Sequence, residues 1–519
     1  MTAPVVDRPP VLDSVARVRL DDGLDTVTLE ECAMSAKQGN QGSESAALRA
    51  RLKHPVIDSD GHWVEFGPDL MDYLKEVGGS RAAEGFRDRP YEGWHLTVPL
   101  KERRERRLDQ PIWWGVPTRN TLDRATSMLP KLLYERMGDI GMDFAVLYPT
   151  AALRIPFIAD EETRKATCRA FNRYSAEQFR EFSDRLTPVA MIPMYTPGEA
   201  IVELEYAVKT LGLKVAMMPS LLRRPIRAAV GPGGEPNPYA QWLDMLALDS
   251  EYDYDPVWAK CQELGVAPTF HTVSKGVGTR ISPSNAVYNH IGHFGVAGEA
   301  ICKALFLGGV TRRFPKLKFA FLEGGVGWAC GLYSDLIGHW KKRNPKALED
   351  IDPANLNREM LAHLFQRYGG KTLADKLERW KLEGESYSPR TADPNASLDD
   401  FEACAIERAE QIRDLFIPNF YFGCEADDAA NAWAFNTKAN PYRAQLNAVF
   451  GSDIGHFDVP DMTQVLTEAW ELVDEELISE TDFRDFVFAN PVKLWAGNNP
   501  DFFKGTVVEQ EARAVLAKG

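Results

Sequence analysis

Val56-Ile57-Asp58-Ser59-Asp60-Gly61-His62 is a short apolar run that ends in polar, metal-capable side chains. In an extended chain successive side chains alternate sides, so Asp60 and His62 point the same way and can share one ion. An Asp-x-His pair arises often by chance, and recurrence gives this one weight. Phe144-Ala145-Val146-Leu147-Tyr148, Val189-Ala190-Met191-Ile192-Pro193, Val215-Ala216-Met217-Met218 and Ala267-Pro268-Thr269-Phe270 follow it. Phe319-Ala320-Phe321-Leu322, Phe420-Tyr421-Phe422 and Ala448-Val449-Phe450 complete a set of eight.

These runs are continuously apolar rather than alternating, as in strands buried on both faces with helices outside. Stretches of helical spacing separate them, among them Glu199 to Leu211, Glu299 to Leu307 and Trp328 to Trp340. Eight strand–helix units predict an α/β fold, a closed (β/α)8 TIM barrel without an edge strand. A doubly wound open sheet is the rival, but it would carry a glycine-rich phosphate loop after its first strand, and none is visible. The barrel is expected over 54–497, after an N-terminal tail at 1–53 that has little to bury, and before a C-terminal extension at 498–519. Two connections, about 67–140 and 341–416, are too long for single helices and are expected as insertions. The first carries Trp94, Trp113 and Trp114, which suit a lid or a subunit contact, and a homodimer is expected.

In such a barrel the strand C-termini converge on one mouth. Besides Asp60 and His62, the fifth run ends at His271, the sixth at Glu323, the seventh at Glu425 and the eighth at Asp453. Carboxylates gathered there repel one another, and a divalent cation removes that penalty. The mixed nitrogen and oxygen set suits zinc or iron, with manganese acceptable, as one ion or two. His290 and His293 lie three apart, and on a helix both can face the mouth. Packing or capping would explain them equally well. His456, three residues past Asp453, is placed to orient it or a substrate.

Composition narrows the partners. A net charge of −15, from 60 basic and 75 acidic side chains, repels phosphate backbones and argues against nucleic acid. No apolar run is long enough for a membrane span, and the first ten residues lack the apolar core of a secretion signal. Seven scattered cysteines suit buried thiols in a reducing compartment, so a cytoplasmic protein acting on a small molecule is expected.

The order and spacing of several stretches resemble the amidohydrolase superfamily. They are similar to its amidohydrolase-related group, which includes aminocarboxymuconate-semialdehyde and resorcylate decarboxylases. The matching stretches are Ile57 to Glu65, Gly141 to Thr150, Gly308 to Lys318 and Phe450 to His456, and the likeness spans about 54–497. The resemblance implies that Asp60, His62, His271 and Asp453 hold a divalent metal. It also exposes a departure: where the family often has a histidine after the sixth strand, this chain has Glu323-Gly324-Gly325. The lysine that bridges two metals in some relatives is absent from the fourth strand end.

Three chemistries fit. In the first, a metal-activated water hydrolyses an amide, ester or lactone-like bond, Asp453 takes the proton, and His293 or Glu323 helps the leaving group. The second is non-oxidative decarboxylation of an aromatic or conjugated acid. The third is oxygen activation by two irons held by Asp60, His62, His271, Glu323, Glu425 and Asp453, with His290 or His293. A barrel scaffold keeping only a structural ion is the non-enzymatic alternative.

Overall fold

Each of the eight apolar runs contains a strand in the computed structural model. The structure describes residues 42–518 except 89–97, 111–118, 151, 232–233, 235–236, 238–239, 273–277, 351–354, 378 and 380–396. The strands are β1 (Ile57–Trp63), β2 (Phe144–Pro149) and β3 (Leu186–Pro188, resumed as Ala190–Met191). They continue as β4 (Ala216–Met218), β5 (Pro268–Phe270), β6 (Phe319–Phe321), β7 (Phe420–Cys424) and β8 (Asn447–Phe450). All pair in parallel with their sequence neighbours. The interruption in β3 at Val189 is bridged by the Val189 amide donating to the Leu147 carbonyl at 3.2 Å. Helices follow the strands: α1 (Glu161–Phe179), α2 (Pro197–Glu205), α3 (Asp255–Leu264), α4 (His293–Leu307), α5 (Gly327–Arg343) and α6 (Val465–Asp474).

The sheet then closes on itself. The Asp453 amide donates to the Asp60 carbonyl at 3.1 Å, and the His62 amide donates to the Ile454 carbonyl at 2.9 Å. One buried side chain clamps this seam. Asp58 accepts from the Asp60 and Ser452 amides, both at 3.1 Å, and from the Ser452 hydroxyl at 2.6 Å. Burial pushes its carboxyl up to about 6. The seam is tight: β1 carries a register shift between Asp58 and Gly61, and a Cβ on Gly61 would lie 2.4 Å from Asp58 Oδ2. The fold is therefore the expected (β/α)8 barrel, distorted by that shift and by the break at Val189.

Between β4 and α3 the chain adds an antiparallel ribbon, Leu222–Pro225 with Gln241–Asp244, which the sequence reading did not anticipate. Arg224 holds it, its Nε donating to Asp244 Oδ2 at 2.7 Å and its Nη2 to the Tyr254 hydroxyl at 2.9 Å. The long connections are helical where described, with Gly67–Asp88, Thr121–Met128 and Pro130–Ile140 in the first and Arg358–Tyr368 and Glu410–Phe416 in the second. Trp94, Trp113 and Trp114 lie outside the described residues. Side chains beyond the expected 54–497 span also join the barrel's hydrophobic core: Leu48, from the helix Glu44–Arg51, and Phe502 and Phe503 after the last strand. Among the described residues no helix is long and apolar enough to cross a membrane. The six described cysteines are free thiols, all but Cys330 buried, and Cys32 lies outside the described residues.

The clamp yields the first prediction. Asp58→Ala leaves two buried amides unsatisfied at the closing seam and should lower unfolding stability by about 2–4 kcal/mol. Urea denaturation of metal-free protein measures this against Asp72→Ala, an exposed control expected within about 0.5 kcal/mol of the parent. Equal stability of the two variants would remove the clamp's role.

Candidate metal centre

Strand geometry delivers the site residues to one end of the barrel. Asp60 and His62 lie within β1, while His271 directly follows β5. Glu323 stands two residues past β6 and Asp453 three past β8. Glu323 and Asp453 both adopt left-handed backbone, with φ of 54° and 50°. That conformation is uncommon for residues other than glycine, and strain of this kind concentrates where a side chain's direction matters. His456 comes from the turn after β8, its amide donating to the Asp453 carbonyl at 3.2 Å.

The donors fall into two overlapping groups, Asp60–His62–His271 and His62–Glu323–Asp453–His456, with the ligand atoms of each within 4.8 Å of one another. All six side chains are buried. The imidazole orientations are informative. His62 Nδ1 lies 3.2 Å from the Pro149 carbonyl, and His271 Nδ1 lies 2.8 Å from the Thr272 carbonyl. A carbonyl only accepts, so in each ring Nδ1 carries the proton and donates, which leaves a lone pair on Nε2. The two Nε2 atoms face each other at 3.3 Å. Two facing lone pairs repel, and a cation shared between them turns the contact favourable.

The carboxylates match. Asp60 Oδ1 lies 3.6 Å from His62 Nε2, and Glu323 Oε2 lies 2.9 Å from His271 Nε2. Yet Asp60 Oδ1 and both Glu323 oxygens, although buried, have no hydrogen-bond partner among the described residues. Asp453 Oδ1 is 3.5 Å from His62 Nε2 and 2.5 Å from His456 Nδ1, and the His456 ring lies 3.9 Å from that of His62. Burial raises the Asp60, Glu323 and Asp453 carboxyls well above their usual range, and neighbouring carboxylates raise them further. Burial also lowers His62, His271 and His456, the first and last strongly, which keeps these rings neutral and able to ligate. Orphaned carboxylate oxygens beside facing imidazole lone pairs are what a divalent cation requires, and the donors present fit one.

A cavity of about 320 Å³ borders the donors, with Glu323 in its wall. His293, at the start of α4, and His290 also line it, together with Phe294, Phe457, Glu425, Asp428 and Asp458. Of the sequence-nominated residues, Asp60, His62, His271, Glu323 and Asp453 are brought together. Glu425 stands on the cavity wall and belongs to neither donor group, and burial lifts its carboxyl to about 8, helped by Glu323 and nearby aspartates. Phe457 lines the cavity. Trp328 packs against Phe321 and Phe422 and is not part of the cavity lining. Two residues were undervalued from sequence: His456, given an orienting part yet standing among the donors, and Asp458, unremarked yet on the cavity wall. The short Asp453-x-x-His456 spacing was the available signal.

A buried His/Asp/Glu cluster at the mouth of a (β/α)8 barrel defines a metal-dependent enzyme of the amidohydrolase-related superfamily. A family model described as amidohydrolase matches residues 57–371, more than half of the chain, and the protein belongs to that family. Among solved structures it is similar to a dihydroxybenzoic acid decarboxylase from Polaromonas bound to manganese and 2-nitroresorcinol. That likeness has 18% identity and a TM-score of 0.44, covering 86% of this chain and 98% of that one. It is also similar to an amidohydrolase from Mycobacterium avium subsp. paratuberculosis, with 17% identity, a TM-score of 0.46 and coverage of 86% and 100%. A manganese-bound 5-carboxyvanillate decarboxylase from Novosphingobium aromaticivorans shows 13% identity and a TM-score of 0.45, covering 85% and 97%.

Two predictions follow from the centre. His271→Ala should weaken divalent-ion affinity at least about tenfold, a loss that even outer partners of a metal ligand produce. Competition with a chelator reads it, and unchanged affinity would discard His271 as a ligand. In metal-free protein, Glu323→Gly should raise stability by about 1 kcal/mol, because it relieves left-handed strain as well as the crowding of a buried acidic group by its acidic neighbours. A loss of stability in thermal unfolding would contradict this account of Glu323.

Proposed function

We propose that the enzyme catalyses the non-oxidative decarboxylation of a small aromatic or conjugated acid at a divalent metal centre. Zinc, iron and manganese all suit the donors. The carrying observation is the make-up of the cavity. Its described lining combines the rings of Phe294, Phe457, His290 and His293 with the carboxyls of Glu323, Glu425, Asp428 and Asp458, and contains no lysine or arginine. A bound ion would supply a positive charge to a substrate carboxylate and its neighbouring oxygen, which the described lining does not.

Everything else is done by the chain's own groups. On the described wall Asp428 and Asp458 repel an acid, which orients its carboxylate toward the donors. They also favour a reaction that removes the negative charge as neutral carbon dioxide. Ring edges and faces hold a flat substrate: Phe294 lies 5.6 Å from His271, 5.5 Å from His290 and 5.3 Å from His293 by ring centroids. His293, buried and facing the cavity, delivers a proton from an imidazole nitrogen to the carbon that loses its carboxyl group. Phe294 and Phe457 keep bulk water off that carbon.

Hydrolysis is the second reading. The Asp453–His456 contact of 2.5 Å favours it, since it places an acid–base pair among the donors. Turnover of aromatic and conjugated acids in deuterated, ¹⁸O-labelled water separates the possibilities. Decarboxylation releases carbon dioxide, places one deuterium on the product carbon and leaves the product free of ¹⁸O from the solvent. Under this reading His293→Gln lowers kcat by about 100-fold or more with the metal content unchanged. Solvent ¹⁸O in the product would select hydrolysis, and a strict requirement for oxygen would select the diiron oxygenase.

A further inference from the structure

We propose that Arg280 selects anionic substrates at the rim of the cavity, capturing an incoming carboxylate on its way to the metal donors. The inference rests on the reading of the substrate as an acid and names the group that admits it. An acid approaching this mouth meets charge of its own sign. The chain carries a net charge of −15, and the described lining offers Asp428 and Asp458 but no lysine or arginine. A cation just outside the lining offsets that field and raises the local concentration of anions.

Arg280 occupies that place. Ile291 lines the cavity yet is 68% exposed, so it marks the rim. Arg280 Nε donates to the Ile291 carbonyl at 3.0 Å. The guanidinium also lies against Gly292, the next lining residue, where a Cβ would stand 3.0 Å from Nη2 and 3.6 Å from Nε. The bond through Nε fixes the plane of the group and leaves its Nη1–Nη2 edge for a ligand. That edge can grip a carboxylate with two parallel hydrogen bonds. Among the described residues no carboxylate pairs with Arg280.

Further cations stand behind it. The helix Leu100–Arg106 and its cap Arg107 carry Lys101, Arg103, Arg104, Arg106 and Arg107 against only Glu102 and Glu105, and the helix buries none of its residues. This basic stretch is tied to the segment that leads into the rim. Arg103 Nε donates to the Pro283 carbonyl at 2.9 Å, and the Gln110 amide donates to the Ser282 carbonyl at 2.8 Å. Asn289, directly before His290 and Ile291, donates to the Gln110 carbonyl at 2.9 Å. In a chain so acidic overall, the stretch forms a local positive surface beside the one arginine held on the rim backbone.

Binding of benzoate and of its neutral counterpart benzamide to the manganese-loaded protein tests the proposal, with metal-free protein as a second arm. Arg280→Gln should weaken benzoate binding about tenfold, the weight of one charge-assisted hydrogen bond, and shift benzamide by less than about twofold in both arms. Arg280→Lys keeps the charge without the fork and should recover part of the loss. Added salt should weaken benzoate binding more steeply in the wild type than in Arg280→Gln. Arg104→Glu combined with Arg107→Glu should slow benzoate association about threefold at low salt and leave it unchanged at high salt. Equal losses for benzoate and benzamide would make Arg280 a structural support of Ile291 and overturn the proposal. So would an unchanged benzoate affinity in Arg280→Gln, or a wild type that does not bind benzoate. These readouts concern binding alone, so a product that carries solvent ¹⁸O would reject decarboxylation without touching the selection by Arg280.

Discussion

The seam between β1 and β8 is the constraint on which the rest of the molecule depends. A barrel of parallel strands is stable when its last strand pairs with its first, and here that junction is also where Asp60, His62, Asp453 and His456 converge. The Asp453 amide bonds to the Asp60 carbonyl, so the pairing that closes the sheet sets the separation of two site residues. Asp58 locks the same junction from beneath with three accepted hydrogen bonds. Precision at the mouth is thus a by-product of closure, since neither strand can shift without opening the barrel.

Against that rigid frame stands a local excess of charge. Burial and mutual repulsion make the Asp60, Glu323 and Asp453 carboxylates costly in protein without metal, and the positive φ at Glu323 and Asp453 adds strain. The fold tolerates this because the surrounding core is extensive. Aromatic contacts such as Phe270 on Phe319 and Phe321 on Phe422 pack the strands beneath the mouth. The arrangement is the usual trade between stability and function, with the cost confined to residues that gain their partner only when an ion binds.

Sequence reading located the barrel because the physics that forms it is local and repetitive. Each strand is a continuous apolar run, and no other arrangement buries eight such runs on both faces as simply. Strand ends were therefore legible, and with them Asp60, His62, His271, Glu323 and Asp453. The ribbon at Leu222–Pro225 was not, since that strand alternates buried and exposed residues and is held by Arg224, whose partner Asp244 lies twenty residues away.

What the sequence by itself determined is the fold, the end of the barrel that carries chemistry and the kind of donor available there, because these follow from residue periodicity and type. What only the tertiary structure decided is where those donors stand. His456 leaves β8 through a turn, where no strand or helix period predicts direction, and its place over the His62 ring follows from the closed seam. Glu425 ends a strand as the others do, yet stands on the cavity wall because the side chains around a mouth reach different depths. The Nε2 atoms of His62 and His271 face each other because backbone carbonyls far apart in sequence fix each ring. Distances between groups from different strands depend on closure and tilt, and those are properties of the assembled sheet rather than of any segment within it.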